Sequence, residues 1–329
     1  MSGLRGVMLA KAAAGQGRFL TRAFTHTFPK PYTVPEGPWG SNKAARLELA
    51  AAYRGLDQLG LNEGVCNHLS MMAPYADGQG KAMLVISYGL HWSEVTASNL
   101  LGLNERAEVV EGEGHVDVTA SCIHLGIRQV RPDATVILHT HQPYATARSL
   151  PLDLHPGCMK DPTLLMVHQN STRFYKRVAY DTNYSGLALA MDEGKRLGEA
   201  LGDKDILIMG HHGVLSVANS VAVAFEHLYY LERAAQLQVC CTAISFRLNT
   251  DALTFRGSLV PARLFHAGLP RVERLWVLAL SMQREVDIIP EESCKLTSDA
   301  FWKDIQGYSE AHFHSMYRRL RTTQPDFEL

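Results

Sequence analysis

Two histidines one residue apart, His139 and His141, close the apolar run Val136-Ile137-Leu138. In an extended strand, residues i and i+2 point to the same face, so these imidazoles would stand side by side, which is a metal-ligand spacing. Far down the chain a second apolar run, residues 206–209, leads through Gly210 into His211, His212 and Gly213. A proline or glycine after each run marks a strand ending in a turn, the usual place for site residues on a rigid scaffold. The chain has 15 histidines, so one such pair alone would arise readily by chance. Histidine groups at two strand ends are a stronger signal, because three neutral imidazoles with a fourth position open are what a catalytic divalent metal requires. The candidate ligands are therefore His139, His141 and one of His211 and His212. Zinc fits a three-histidine set best by ligand softness, and manganese or iron would come next.

Composition narrows the class. Of 329 residues, 46% are hydrophobic and 20% charged, enough for one large core or two modest ones. A formal net charge of -1 argues against a nucleic-acid partner or an anionic membrane surface. His, Lys, Asp or Glu interrupts the longest apolar stretches well before the roughly 20 residues that a spanning helix requires. The 6 cysteines show no CxxC spacing, and a chain this size needs no disulfide staples, so a reducing compartment is expected. Cys122, two residues before His124, is the candidate nucleophilic thiol. Residues 1–35 hold no acidic residue, while Arg5, Lys11, Arg18, Arg22 and Lys30 recur. Residues 1–38 thus have the basic, acid-poor composition of an organellar presequence, which predicts a mitochondrial destination.

The elements that must position the histidines follow from periodicity. Residues 44–60 combine strong helix formers, apolar residues at helical spacing and a terminal glycine, predicting an amphipathic helix. Strands are predicted at 68–72, 83–86, 135–141 and 205–209. Helices are predicted at 93–101 opened by Ser93, at 119–130 opened by Thr119, at 143–149 with proline in the first turn, at 192–201 and at 220–244. Helices and short strands alternate, so the core domain over 39–254 is of the α/β or α+β class. From residue 255 to 329 the apolar pattern thins into a helical extension, with helices expected near 270–284 and 298–321.

Several segments taken in order carry a resemblance: Gly64-Val65-Cys66-Asn67-His68-Leu69-Ser70, then Ile86-Ser87-Tyr88-Gly89, then His124, then Arg131-Pro132-Asp133 running into His139-Thr140-His141, then His212-Gly213. Over about residues 44–244 the chain resembles the class II aldolase/adducin family, whose enzymatic relatives include fuculose-phosphate aldolase and ribulose-phosphate epimerase, and whose non-enzymatic relative is the adducin head. The resemblance implies an α/β fold, an αβα layered sandwich around a mainly antiparallel central sheet, assembled as a homotetramer with sites at subunit interfaces. It also implies that His139, His141 and His212 are the zinc ligands, with His211 just outside the set. A cation there would stabilise the negative charge that grows on a carbonyl oxygen when an adjacent C–C bond breaks.

The chain departs from its aldolase relatives at the proton carrier. They have a glutamate four residues before the histidine matching His124, whereas this chain has Ala120, a loss shared with adducin-like members. A base is still required, and Asp117 and His124 are the first candidates, ahead of Glu113 and Tyr88. The resemblance also places a phosphate pocket at Cys66-Asn67, Tyr88-Gly89 and Val118-Thr119, where a phenol and a valine replace small hydrogen-bond donors. An unphosphorylated keto or hydroxy acid, aromatic ones included, is the better expectation, with Asn67, Ser70, Ser87, Tyr88, Gly89 and Thr119 as substrate-binding candidates. Arg173, after His168-Gln169-Asn170, is placed to pair with a substrate carboxylate.

These readings predict a divalent-metal-dependent lyase for a small carbonyl or hydroxy-acid substrate, acting by aldol-type cleavage or decarboxylation, in a homo-oligomer that engages neither nucleic acid nor membrane. The rival is a non-catalytic adducin-like interaction domain, favoured by Ala120; a sugar-phosphate aldolase or epimerase ranks third.

Overall fold

The computed structural model describes residues 40–150, 163–250 and 287–329. The presequence-like segment 1–38 and the helix expected over 270–284 lie outside the described residues. The strands are β1 (His68–Pro74), β2 (Lys81–Val85), β3 (Leu101–Leu103), β4 (Val109–Glu111), β5 (Val136–Thr140), β6 (Val178–Asp181), β7 (Ile206–Met209) and β8 (Gly213–Ala218). They form one sheet in the order β4-β3-β2-β1-β5-β8-β7-β6. Every neighbouring pair is antiparallel except β6 with β7. The helices are α1 (Lys43–Gln58), α2 (Val118–Val130), α3 (Pro143–Ser149), α4 (Met191–Leu201), α5 (Val221–Thr250), α6 (Glu291–Lys303) and α7 (Ile305–Thr323). The expected mixed α/β architecture around a mainly antiparallel sheet is what the chain adopts.

Alternation along the strands sorts side chains into two cores. Leu69, Val136, Leu138, Ile206 and Ile208 cluster with residues of α1, α5 and α7. Ile137, Leu207, Met209, Leu215 and Val217 cluster instead with Ile123 and Ile127 of α2 and Leu197 and Leu201 of α4. By the same alternation His139 follows Ile137 toward α2 and α4, and His68, paired with His139 across the sheet, joins it there. The two helices of that layer cross on glycines. A Cβ on Gly194 would lie 2.1 Å from the Cys122 carbonyl oxygen, so backbone meets backbone and α2 is held firmly in place.

Three local expectations are corrected. Residues 93–101 are not a helix; a 3-10 turn at Trp92–Glu94 runs on toward β3. Its cap is His91, whose ring accepts the Ser93 N–H. Beyond it Asn99 Oδ1 accepts the Thr96 N–H and Thr96 Oγ1 accepts the Asn99 N–H, and these local bonds compete with helical ones. Helix α2 opens at Asp117, whose carboxylate accepts the Thr119 N–H, so Thr119 is inside the first turn. The helix expected over 298–321 is two, α6 and α7, broken at Asp304. Strands β3, β4, β6 and β8 escape periodicity for physical reasons: β3 and β4 have 3 residues each, β6 has 4 with no alternation in burial, and β8 is buried at five consecutive positions instead of alternating.

The C-terminal helices are built into the packing. Phe313, Tyr317 and Leu320 of α7, and Phe327 after it, belong to the α1–α5 core. The Ala97 N–H donates to the Phe327 carbonyl at 3.0 Å, and Arg54 pairs with Asp326 at 2.7 Å.

Candidate metal centre

The end of β5 and the turn from β7 to β8 are neighbours because β5 pairs with β8, Thr140 standing opposite Val214. That pairing brings His212 to His139 and His141. Ring centroids are 5.0 Å apart for His139 and His141, 4.8 Å for His139 and His212, and 4.9 Å for His141 and His212. One nitrogen from each lies within 4.8 Å of the others. Gly213 permits the approach, since a Cβ there would sit 2.6 Å from the Thr140 carbonyl oxygen and 2.7 Å from the His141 ring.

Hydrogen bonds assign the nitrogens. His139 Nδ1 lies 2.9 Å from the Val214 carbonyl oxygen, which can only accept, so Nδ1 carries the proton and Nε2 keeps its lone pair. His141 Nδ1 lies 2.5 Å from the Glu63 carboxylate, while its Nε2 is buried without a protein partner. A buried nitrogen left in that state costs about 1–3 kcal/mol. Carbonyl- and carboxylate-backed imidazoles are the usual device for orienting metal-ligating histidines. Burial holds His139 well below the ordinary imidazole range, with His212, His68 and His141 adding to the effect, and burial brings His212 down to about 4. Both rings are therefore neutral at pH 7, the form that binds metal. The donor set fits a divalent ion of zinc's softness.

A fourth histidine stands beside the triad. The His68 ring is 5.0 Å from that of His139. Its Nδ1 is 2.8 Å from His124 Nε2, and His124 Nδ1 meets Ser70 Oγ in a short hydrogen bond. Burial lowers the His124 pKa well below the usual range, and nearby His68 and Arg128 lower it further. Burial lowers that of His68 too, against the opposing pull of Asp117. Of this pair His68 lines the cavity; His124 is completely buried behind it.

The cavity over the triad has a volume of about 670 Å³. Of the expected substrate and catalytic residues, Tyr88, Asp117 and Thr119 line it. Asp117 is first a helix cap, because both the N–H and the hydroxyl of Thr119 donate to it at 2.7 Å. Asn67, Ser87, Gly89 and Glu113 are not among the lining residues. Asn67 is buried and accepts the Glu63 N–H, and Ser87 and Gly89 belong to the turn after β2. Ser70 is engaged by His124, and Ala120 is packed in the core. Arg173 is not a substrate group: it bonds the buried Glu226 at 3.0 Å and lies 4.0 Å from the Tyr230 and Phe301 ring centres. Cys122 is no nucleophile either, since it is buried, outside the lining, and burial pushes its thiol pKa up.

Residues 47–239 match the family described as Class II Aldolase and Adducin N-terminal domain. The chain belongs to this family. An adducin-related protein of Schizosaccharomyces pombe is 33% identical over 208 residues, covering 61% of this chain and 60% of that protein. Rat alpha-adducin is 32% identical over 202 residues, covering 60% of this chain and 25% of adducin, so the chain spans only part of either relative. Among solved structures, an aldolase II superfamily protein from Pseudomonas syringae superposes with a TM-score of 0.64 at 25% identity, covering 89% of this chain and 97% of the other. An L-fuculose 1-phosphate aldolase from Glaciozyma antarctica PI12 shares the fold with a TM-score of 0.62 at 20% identity, over 88% and 93% of the chains.

Sequence reasoning passes over His68 and Glu63 as site residues, and over the wall made by Tyr184, Leu187 and Ala188. His68 carries a faint signal, standing two residues before Ser70 on a strand, but its pairing with β5 is not written locally. Glu63 lies in a loop 78 residues from His141, and only the folded chain joins them.

Proposed function

We propose that the chain is a divalent-metal-dependent lyase acting on an unphosphorylated carbonyl or hydroxy-acid substrate, by aldol-type cleavage or decarboxylation. The observation that carries this reading is the tautomer arrangement: the Nδ1 atoms of His139 and His141 are tied to acceptors, leaving Nε2 for an ion. His139, His141 and His212 would hold that ion, zinc by donor type, whose chemistry when bound is polarisation of a substrate oxygen.

His68 replaces the missing glutamate as proton carrier. With His124 Nδ1–H donating to Ser70, His124 Nε2 accepts from His68 Nδ1–H, and Nε2 of His68 remains as the base. Burial holds the free ring neutral and so able to take up a proton, and the Asp117 charge partly offsets the cost of the protonated ring. Asp117 and His124 thus act through His68.

Substrate charge follows from the lining. Among the described residues the cavity's ionic side chains are Glu63 and Asp117, with no lysine or arginine, which disfavours a phosphate group. Exposed apolar residues, Leu187 of the cavity wall at 73% and Val118 at the start of α2 at 54% exposure, fit a homo-oligomer, a tetramer by family resemblance.

Metal analysis of the purified protein tests the reading, paired with His139→Ala. Stoichiometric metal in wild type and its loss from the folded variant are expected, with C–C cleavage or CO₂ release from a panel of 2-keto and 2-hydroxy acids. His68→Ala should keep the metal and lose turnover by at least about a hundredfold. A wild-type protein that takes up no metal ends the proposal. An adducin-like interaction role is favoured by one observation, the buried methyl of Ala120 at the family's glutamate position, and would be supported by metal uptake without turnover of any acid in the panel.

A further inference from the structure

We infer that the substrate carries a flat, unsaturated or aromatic group seated against His211 and Tyr184, and that His211 is a specificity-determining residue; this rests on the metal-centre reading above. His211 has φ +58, a left-handed backbone that side chains other than glycine adopt at a cost. Glycine would make this turn without strain. The ring does nothing for the core, because His211 is exposed, and the ligand position is occupied by His212. What the ring does is line the cavity next to the triad, 6.2 Å from the Tyr184 ring and tilted 56° to it.

The surroundings specify the guest. Tyr88 and Leu187, exposed at 60% and 73%, border the same cavity, as do Ile123, Leu150 and Ala188. Two aromatic faces at an open angle, with aliphatic neighbours and no lysine or arginine among the described lining residues, favour a planar apolar group over a second anion. Because His211 directly precedes His212, that group lies close to the oxygen the ion would hold. The substrate class is an aryl- or alkenyl-substituted 2-keto or 2-hydroxy acid.

Hydroxamates test this without requiring turnover. Zinc-loaded wild type should bind benzohydroxamate about tenfold more tightly than acetohydroxamate, the ring contact supplying the difference. His211→Gly should reduce that preference to threefold or less and leave acetohydroxamate affinity within twofold. It should also raise the Tm by about 2 °C as the left-handed strain is relieved, which guards against misfolding as the explanation. His211→Asn, which tolerates the left-handed backbone, should lose the preference as well. Equal binding of the two probes by wild type, or an unaltered preference in His211→Gly, overturns the inference while leaving the metal centre intact. Failure of the protein to take up zinc overturns both.

Discussion

Replacing Glu63 by alanine should separate metal affinity from fold stability. The carboxylate accepts the Nδ1 proton of His141 at 2.5 Å and so fixes which nitrogen faces the triad. Yet the Glu63 side chain is 65% exposed, and a hydrogen bond to a carboxylate so close to solvent contributes no more than about 1 kcal/mol to folding. Its backbone N–H, which Asn67 accepts, survives the substitution. Metal affinity depends on the tautomer and ring orientation, and losing an outer partner of a ligating histidine typically weakens binding 10–100-fold, or about 1.4–2.7 kcal/mol. The assay is competition for zinc between the apo-protein and a chromophoric chelator at pH 7.5, alongside urea unfolding of the metal-free forms. Expected are a 10–100-fold rise in Kd, a smaller rise for Glu63→Gln, whose amide oxygen still accepts, and unfolding free energies within about 1 kcal/mol of wild type. If Glu63→Ala binds zinc as tightly as wild type, the carboxylate does not orient His141 and the tautomer argument fails.

The remaining predictions concern the fold. Gly194→Ala forces a Cβ to within 2.1 Å of the Cys122 carbonyl oxygen, so α2 and α4 must part, and urea unfolding should show a loss of about 1–3 kcal/mol; wild-type stability would contradict the crossing described. Acid should weaken the metal-free protein before its carboxylates titrate. His227 is buried against Ser216, and burial, with Arg177 and Arg173 nearby, lowers its pKa from 6.5 to about 3. The unfolded chain therefore binds that proton first: the stability is complete above pH 6.5 and falls as pH drops from there toward 3, by about 2 kcal/mol at pH 5 from this residue alone. His168, lowered by burial to about 4, acts in the same direction. Unfolding free energies that stay level between pH 7 and pH 5 would show these rings to be solvated.

How much of the site the sequence discloses depends on how local each signal is. His139 and His141 are legible because two-residue spacing across the end of a five-residue strand is a local fact, and His212 because a turn follows its own apolar strand. His68 is equally local in type, but its role comes from lying opposite His139 across the sheet, a pairing no periodicity encodes. Asp117 and His124 are legible as neighbours of the site, while their order in it is not: one caps α2 and the other is sealed behind His68. Arg173 misleads because its local setting is polar. The rings of Tyr230 and Phe301 that cover it come from α5 and α6. The same holds for residues 93–101, where the helix expected after the Ser93 cap yields to bonds of the Thr96 and Asn99 side chains to each other's backbone N–H.

Ala120 is the strongest pointer toward a chain that performs no chemistry, and its surroundings weigh the other way. The methyl group is packed in the core, so loss of the glutamate leaves no gap on α2. Four residues on, the same helix supplies His124, bonded to a histidine of β1 that does reach the cavity, so on the proposed reading the carrier's place would pass from helix to strand. Gathering neutral rings around one point works against stability, because burial makes His212 and His139 resist protonation and His141 Nε2 stays buried without a partner. A domain selected only for association would be more stable with apolar side chains at these positions. Binding reverses the balance: an ion present at a thousand times its Kd stabilises the folded state by about 4 kcal/mol, enough to offset an orphaned nitrogen and leave a margin. The arrangement is economical for a metal-holding protein and wasteful for one without an ion, which is why metal uptake, more than any comparison of sequences, divides the two readings.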